Sequence, residues 1–368
     1  MTYPTDLLPV GLADRLPISA RAITSAMRRC LDVLDAHGYD RVRPPLLEFE
    51  ASLASRMLGV STRRTFRMTD PASLRTLALR SDITPQIGRI AATSMAAAPR
   101  PLRLAYCGDT ALIEASQLDP ARERLQLGGE LIGADTVAAA CEIVTVAIEA
   151  AAAAGLTGIS VDFTLPDLVD ALAARDGTLG PADIEAIRRE LDTKDAGGLR
   201  SVGGAAYLPL LYAAGPFASA LPKLREIDAG GALKTRLDGL ETIAALIPDD
   251  VRITLDPTER HGFEYQSWFG FTLYAAGVRG AAGRGGTYTI AGSEEPATGF
   301  TLYVDRLAEA TPAPVTERKV YLPIGHDPAR AAALRAEGWR TCAGLAEGED
   351  AGALGCTHVL DGGEVVPL

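Results

Sequence analysis

Lysine is almost missing from this chain: Lys194, Lys223, Lys234 and Lys319 are the whole supply, the remaining basic charge is arginine, and the net charge is -11. Affinity for nucleic acid comes largely from cationic groups that displace condensed counterions, so a polyanion is a poor partner and no nucleic acid is expected. Histidine is as scarce, with only His37, His261, His326 and His358 available for imidazole chemistry. His37 beside Gly38 reads as a helix-end residue, where a cation opposes the negative end of the dipole. Five cysteines (Cys30, Cys107, Cys141, Cys342, Cys356) stand far apart without a C-x-x-C pair. They suit buried thiols in a reducing compartment better than a disulfide framework, and no metal site is expected. The longest apolar-looking run, residues 137–155, contains Glu142 and Glu149, so no membrane span is expected. Residues 1–17 carry Asp6, Asp14 and Pro4 without a basic start or an apolar stretch, and a cytoplasmic location follows as an expectation. There is no G-x-x-x-x-G-K-S/T loop, no H-E-x-x-H and no G-x-S-x-G, so P-loop, zincin and common hydrolase mechanisms lose their usual signatures. No cofactor is implied.

What is present is a globular balance, 47% hydrophobic and 23% charged over 368 residues, enough for two domains or one large domain with an insertion. Ile23, Met27, Cys30, Leu31 and Leu34 recur at helical spacing ahead of Gly38. Residues 41–48 (RVRPPLLE) read as extended, because each proline disfavours helix at the residue before it. Strands are expected at 102–106, 126–132 and 159–163, with a helix between Asp135 and Gly155 that has an acidic start. From about 166 to 250 the pattern turns helical, clearest at 182–191 and 233–247, with breaks around Gly197 and Gly230. Strand character returns at 251–255 and 269–274, and a glycine-rich turn over 280–286 leads into a strand at 287–290. Residues 299–308 read as a strand passing into a helix, and 311–315 (TPAPV) as a linker. Strand, helix and strand follow at 320–323, 328–337 and 356–360. The expected division is 1–315, with a helical insertion at about 166–250, and a small α/β domain at 316–368.

Four separated segments then appear in a telling order. They are the proline-containing segment 38–48; LALRSDITPQIGRIA at 77–91; RLAYCGDTALIEASQLDPARERLQLGGELIG at 103–133; and RHGFEYQSWFGFTLY, GGTY and TGFTLYVDRL at 260–274, 285–288 and 298–307. Their joint order resembles motifs 1, 2 and 3 and the two histidine-specific signatures of histidyl-tRNA synthetases, over about residues 5 to 310. The resemblance implies a class II aminoacyl-tRNA synthetase-like α+β fold, an antiparallel sheet flanked by helices. It places Asp82, Thr84, Gln126 and Glu130 where the ammonium of free histidine is bound, and Tyr265 and Tyr288 near the imidazole, with His261 also among the histidine-binding residues. Each has a plainer reading: Asp82 and Thr84 could cap the helix beginning near Pro85, Gln126 and Glu130 could be ordinary polar strand positions, and the tyrosines could belong to the core.

The departures matter as much. Synthetases of this class hold the ATP α-phosphate with a motif 2 arginine, whose planar fork binds two oxygens while charge develops on them. With Glu114 in register, Leu112 stands there, Pro120 stands at the arginine of the motif 2 loop, and His261 at the arginine of the first histidine signature, unless a one-residue slip brings Arg260. Arg122 and Arg124 are the other possible substitutes; Arg306 of motif 3 survives. After residue 315 the chain is about half the length of an anticodon-binding domain and carries Glu317, Asp327, Glu337, Glu347, Glu349 and Asp350. Lost arginines, a kept amino-acid pocket and a short acidic tail together resemble the family of regulatory subunits of ATP phosphoribosyltransferase, paralogues of histidyl-tRNA synthetase. That resemblance implies no catalysis by this chain, feedback control by L-histidine, a dimer through the motif 1 region, and a hetero-octamer with the short catalytic subunit. A working ligase that activates an amino acid, and an RNA-binding protein on the same fold, are the other readings.

Overall fold

The computed structural model describes residues 7–54, 65–113, 120–177, 179–260, 266–311 and 318–368. The chain divides into two compact units, Met1–Thr311 and Pro312–Leu368. In the first, helix α1 (Pro17–Ala36) opens on a proline, where a missing N–H costs nothing, and Gly38 beyond its end takes φ +77°. Strands β1 (Asp40–Arg41) and β2 (Leu47–Phe49) flank Pro44 and Pro45 and lead through α2 (Glu50–Ala54), β3 (Arg67–Thr69) and β4 (Thr76–Leu79) to α3 (Thr84–Ala92). A long hairpin of β5 (Leu102–Ala111) and β6 (Glu123–Ile132) follows, then α4 (Val137–Ala153) and β7 (Ser160–Thr164). The next segment holds α5 (Leu168–Asp176), α6 (Pro181–Asp192), α7 (Ala196–Ser201), a 3-10 helix over Ala205–Tyr212, β8 (Gly215–Pro216), α8 (Phe217–Ile227) and α9 (Lys234–Ala244). Strands β9 (Arg252–Leu255), β10 (Gln266–Tyr274), β11 (Gly283–Ile290) and β12 (Glu295–Tyr303) and helix α10 (Val304–Ala310) complete the unit.

Nine strands form one sheet in the order β1-β5-β6-β12-β11-β10-β7-β9-β8. Neighbours are antiparallel except at β1–β5 and β7–β9. The antiparallel class II synthetase-like sheet expected from the motifs is therefore the body of the unit, with a parallel step near each end. Side chains alternate across it. Leu127 and Leu131 of β6, Phe300 and Leu302 of β12, Phe271 and Leu273 of β10 and Val161 and Phe163 of β7 point to one face, where Cys30 and Leu34 of α1 and the buried side of α4 close the main core. The opposite face carries Gln126, Gly128 and Glu130 of β6 and, in register with them, Tyr303, Thr301 and Gly299 of β12.

Several elements differ from the sequence expectation. Helix α4 is capped by Thr136, whose Oγ1 accepts from the Ala139 N–H at 3.2 Å, instead of by Asp135. Gly197, which reads as a break, lies inside α7, because Asp195 Oδ1 accepts from the N–H groups of Gly197 and Gly198 at 2.9 and 2.8 Å. The helical stretch also contributes β8, an edge strand paired with β9. Strand β11 begins at Gly283, within the expected turn, and a Cβ at Gly283 or Gly285 would collide with neighbours across the sheet. In the second unit β13 (Lys319–Leu322), α11 (Pro328–Ala336), β14 (Arg340–Ala343), β15 (His358–Asp361) and β16 (Glu364–Pro367) form a sheet ordered β14-β13-β15-β16 around Val320, Leu322, Leu334, Trp339 and Leu360.

A methyl group at position 285 would strike the Phe271 ring and lie 2.6 Å from the Gly299 carbonyl oxygen. Gly285→Ala is expected to lower stability by about 1–3 kcal/mol, as overpacked cores do, read as a lower denaturant midpoint at unchanged slope.

Candidate functional site

The polar face of the sheet carries a buried carboxylate, Glu130. This residue faces Leu104 on β5 and Gly299 on β12, and its carboxylate lies so close over Gly299 that no Cβ fits there. Glu130 is 1% exposed. Its Oε1 accepts from Thr84 Oγ1 at 3.0 Å and from the Tyr106 hydroxyl at 3.4 Å, and its Oε2 accepts from the Tyr288 hydroxyl at 2.8 Å. Among the described residues these partners are hydroxyls alone.

Each partner is brought there by packing. Helix α3 lies on the polar face through Ile83, Ile87 and Ala91, which join Leu102, Leu104, Ile132, Ile290 and Ala297 in a second apolar cluster. That docking sets Thr84, the first residue of α3, above Glu130. The loop ahead of α3 is tied to the sheet by Gln126, whose Oε1 accepts from the Ile83 N–H at 3.1 Å. Asp82 is buried on the same loop, and its Oδ1 accepts from the Thr84 N–H at 3.3 Å. The helix-start reading of Asp82 and its place beside the site are therefore compatible. The structure brings together Asp82, Thr84, Gln126, Glu130 and Tyr288; His261 and Tyr265, with Glu114 of motif 2, lie outside the described residues.

Two contributors escape a sequence reading. Tyr106 stands opposite Gly128, with its hydroxyl 2.5 Å from Thr301 Oγ1 and 3.4 Å from Thr84 Oγ1. The period-two spacing of Leu104, Tyr106 and Gly108 on β5 was the available signal, since it puts Tyr106 on the face of Gln126 and Glu130 once the hairpin register is known. Thr301 offers none, being one of many strand threonines.

Burial dominates the electrostatics. It pushes the Glu130 carboxyl up to about 8, and nearby Asp82 adds to this, while the hydroxyls of Tyr288, Thr84 and Tyr106 act the other way. Burial first, then Glu130 and Asp82, drive the Tyr106 phenol well above its ordinary range, so it remains a neutral donor. Without a ligand the site is a protonated carboxyl in a ring of hydroxyls. A cation seated against it would ionise Glu130 and be held by it.

Arg284 of β11 stands on the polar face in register with Thr301, while the arginines weighed as phosphate ligands have protein partners. Arg122 donates to the carbonyls of Leu112 and Val10 at 3.1 and 3.3 Å and lies over the Phe66 ring. Arg124 donates to Asp305 Oδ2 at 3.1 Å, and Arg260 to Glu185 Oε1 at 2.9 Å. Arg306 donates to the Ala281 carbonyl at 2.7 Å. Among the described residues no cluster of histidine, cysteine or acidic side chains suits a metal ion, and no helix is long and apolar enough to cross a membrane.

Fold and site together define a histidyl-tRNA synthetase-like domain, and the histidyl-tRNA synthetase family matches residues 11–307. Histidyl-tRNA synthetase from Nostoc sp. shares the fold at TM-score 0.78 with 15% identity, covering 97% of this chain and 91% of that one. Nearer relatives narrow the class. Proteins named ATP phosphoribosyltransferase regulatory subunit from Rhodospirillum centenum and Paramagnetospirillum magneticum are 40% and 41% identical, over 98% and 96% of this chain and 95% and 96% of their own lengths. A solved Bacillus halodurans structure described as an ATP phosphoribosyltransferase regulatory subunit/histidyl-tRNA synthetase superposes at TM-score 0.80 with 26% identity, covering 96% of this chain and 97% of that one. This chain belongs to the family of ATP phosphoribosyltransferase regulatory subunits.

A carboxyl whose folded pKa is raised from 4.5 to about 8 contributes stability that is fully present below pH 4.5 and is lost as pH rises through about 8. Thermal denaturation of the ligand-free protein should therefore show a melting temperature that declines across this window. In Glu130→Gln that decline should be reduced, leaving the variant the more stable form at pH 8.5.

Proposed function

We propose that this chain is the non-catalytic, histidine-sensing subunit of an ATP phosphoribosyltransferase, and that free L-histidine binds at Glu130. The observation that carries the reading is a fully buried carboxyl whose described partners are hydroxyls alone, on a glycine floor beside a second buried carboxylate, Asp82. An amino acid's ammonium would bring positive charge and further donors to Glu130 beside Asp82. Thr84 and Gln126 hold the acceptors in place and Tyr288 borders the imidazole; His261 and Tyr265 are assigned to histidine binding by the family resemblance alone.

The same chain is poorly furnished for adenylate formation. The register of the hairpin, in which the Leu112 N–H bonds the Arg122 carbonyl at 2.8 Å, continues the alternation that puts position 112 on the polar face. An apolar side chain there and proline at 120 offer no charge to a phosphate, and the guanidinium groups of Arg122, Arg124 and Arg260 are engaged with other partners. Losing one preorganised charge contact costs about 100-fold or more in rate, so two or three losses remove the activity. ATP-dependent pyrophosphate exchange with histidine is expected to be absent; its presence would restore the ligase reading.

In this account histidine shifts an equilibrium between active and inhibited arrangements of a cytoplasmic hetero-octamer with the short catalytic subunit, built on a dimer through residues 38–48. No nucleic acid takes part. A coupling of about 1–3 kcal/mol corresponds to about 5- to 150-fold in activity. The expected results are a selective thermal shift with L-histidine over a control amino acid, a stabilisation of about 2.7 kcal/mol at 100 times the dissociation constant, and co-elution with the catalytic subunit on sizing. Asp82→Ala and Glu130→Ala should each weaken histidine binding by about 10-fold or more, because the ammonium loses an acceptor. Unchanged titrations for both variants would exclude this pocket.

A further inference from the structure

Further along the same face of the sheet, over Gly108 in register with Gln126, lies a buried arginine. Arg80 directly follows β4 and is 6% exposed. Its guanidinium reaches three separate pieces of chain: Nε donates to the Asp109 carbonyl on β5 at 2.7 Å, one terminal nitrogen to the Pro44 carbonyl at 3.0 Å, and the same nitrogen to Gln86 Oε1 on α3 at 3.3 Å. The group lies over Gly108, where any Cβ would collide with it. Backbone bonds tighten the junction, since the Arg80 N–H donates to the Leu46 carbonyl at 3.2 Å and the Ala111 N–H to the Arg80 carbonyl at 3.1 Å.

Gln86 repeats the connection from the helix side. Its Nε2 donates to the Pro45 carbonyl at 2.8 Å and to Glu48 Oε1 at 2.9 Å, and Glu48 is in turn paired with Arg89 of α3. The Pro44–Pro45 turn cannot be held by its own N–H groups, because prolines have none. It is fixed instead by donors that arrive from the segment carrying Asp82 and Thr84. A lysine at 80 would keep the charge but, as a single point, could not span the spread of carbonyls that the planar fork matches.

We infer that Arg80 is a positioning residue that locks the loop of Asp82 and Thr84 and the Pro44–Pro45 turn into one unit, so that occupancy of the Glu130 site is transmitted to that turn. The transmission rests on the histidine reading; the lock does not. Hydrogen exchange on the full chain tests both. Without ligand, Arg80→Lys, and the milder Gln86→Met should the first fail to fold, is expected to speed exchange about 10-fold in segments 46–49 and 81–86 together, with β6 and β12 unchanged. Acceleration in only one segment, in neither, or across the whole sheet overturns the inference. With saturating L-histidine the wild type should show slower exchange at 42–49, and the variants should lose that protection while binding histidine about 10-fold more weakly. Histidine that binds the wild type and leaves 42–49 unprotected overturns the transmission. If the wild type shows no calorimetric binding of histidine, the proposed function and the transmission with it fail, and the ligand-free comparison still decides the lock.

Discussion

A carboxylate buried as deeply as Glu130 is costly as an anion unless a cation reaches it, and the described architecture around it supplies hydroxyls only. Much of the first unit can be understood as what is needed to hold that group there. Glycine at 299 leaves room for the side chain to lie against the sheet, α3 is packed on the polar face so that Thr84 stands above it, and Gln126 fixes the loop between them. The opposite face is filled by leucine, phenylalanine and the alanine-rich α4, which lets the polar side remain open to chemistry without losing the core. The protein thus keeps an acid at a pKa near neutrality, the condition under which a bound ammonium changes its charge.

The proposal separates two activities that share one cleft in a synthetase, holding an amino acid and activating it. Holding requires acceptors for an ammonium, and these converge on Glu130. Activation requires positive charge placed where phosphate charge develops, and the candidate guanidinium groups are bound to Leu112, Asp305 and Glu185. A site that binds a small molecule without transforming it is suited to report concentration. For that report to reach another subunit, ligand binding must differ between two states of the assembly, and the Arg80 junction offers a physical path out of the cleft.

Much of the fold was legible because its elements are regular. The period of Ile23, Cys30 and Leu34 marks α1, and the motif order points to Asp82, Thr84, Gln126, Glu130 and Tyr288, which the fold brings near one another. What escaped did so for identifiable reasons. Tyr106 joins the site through cross-strand register, which pattern in one strand does not specify. Gly283 and Gly285 look like a turn locally but are strand residues that Phe271 and β12 approach closely. Helix α7 forms around two glycines because Asp195 caps it, and β14 and β16 are four-residue strands too short to show a period.

The most direct measurement is the proton count on binding L-histidine, obtained by calorimetry at pH 7 in buffers of differing ionisation enthalpy. With the carboxyl at about 8 in the free protein, roughly nine-tenths of molecules carry the proton, and the ammonium should expel it, so close to one proton should be released per histidine. Release should fade as pH is raised past 8 and should vanish in Glu130→Gln. Histidine that binds with no proton exchange, or with uptake, would contradict a site built around this buried acid.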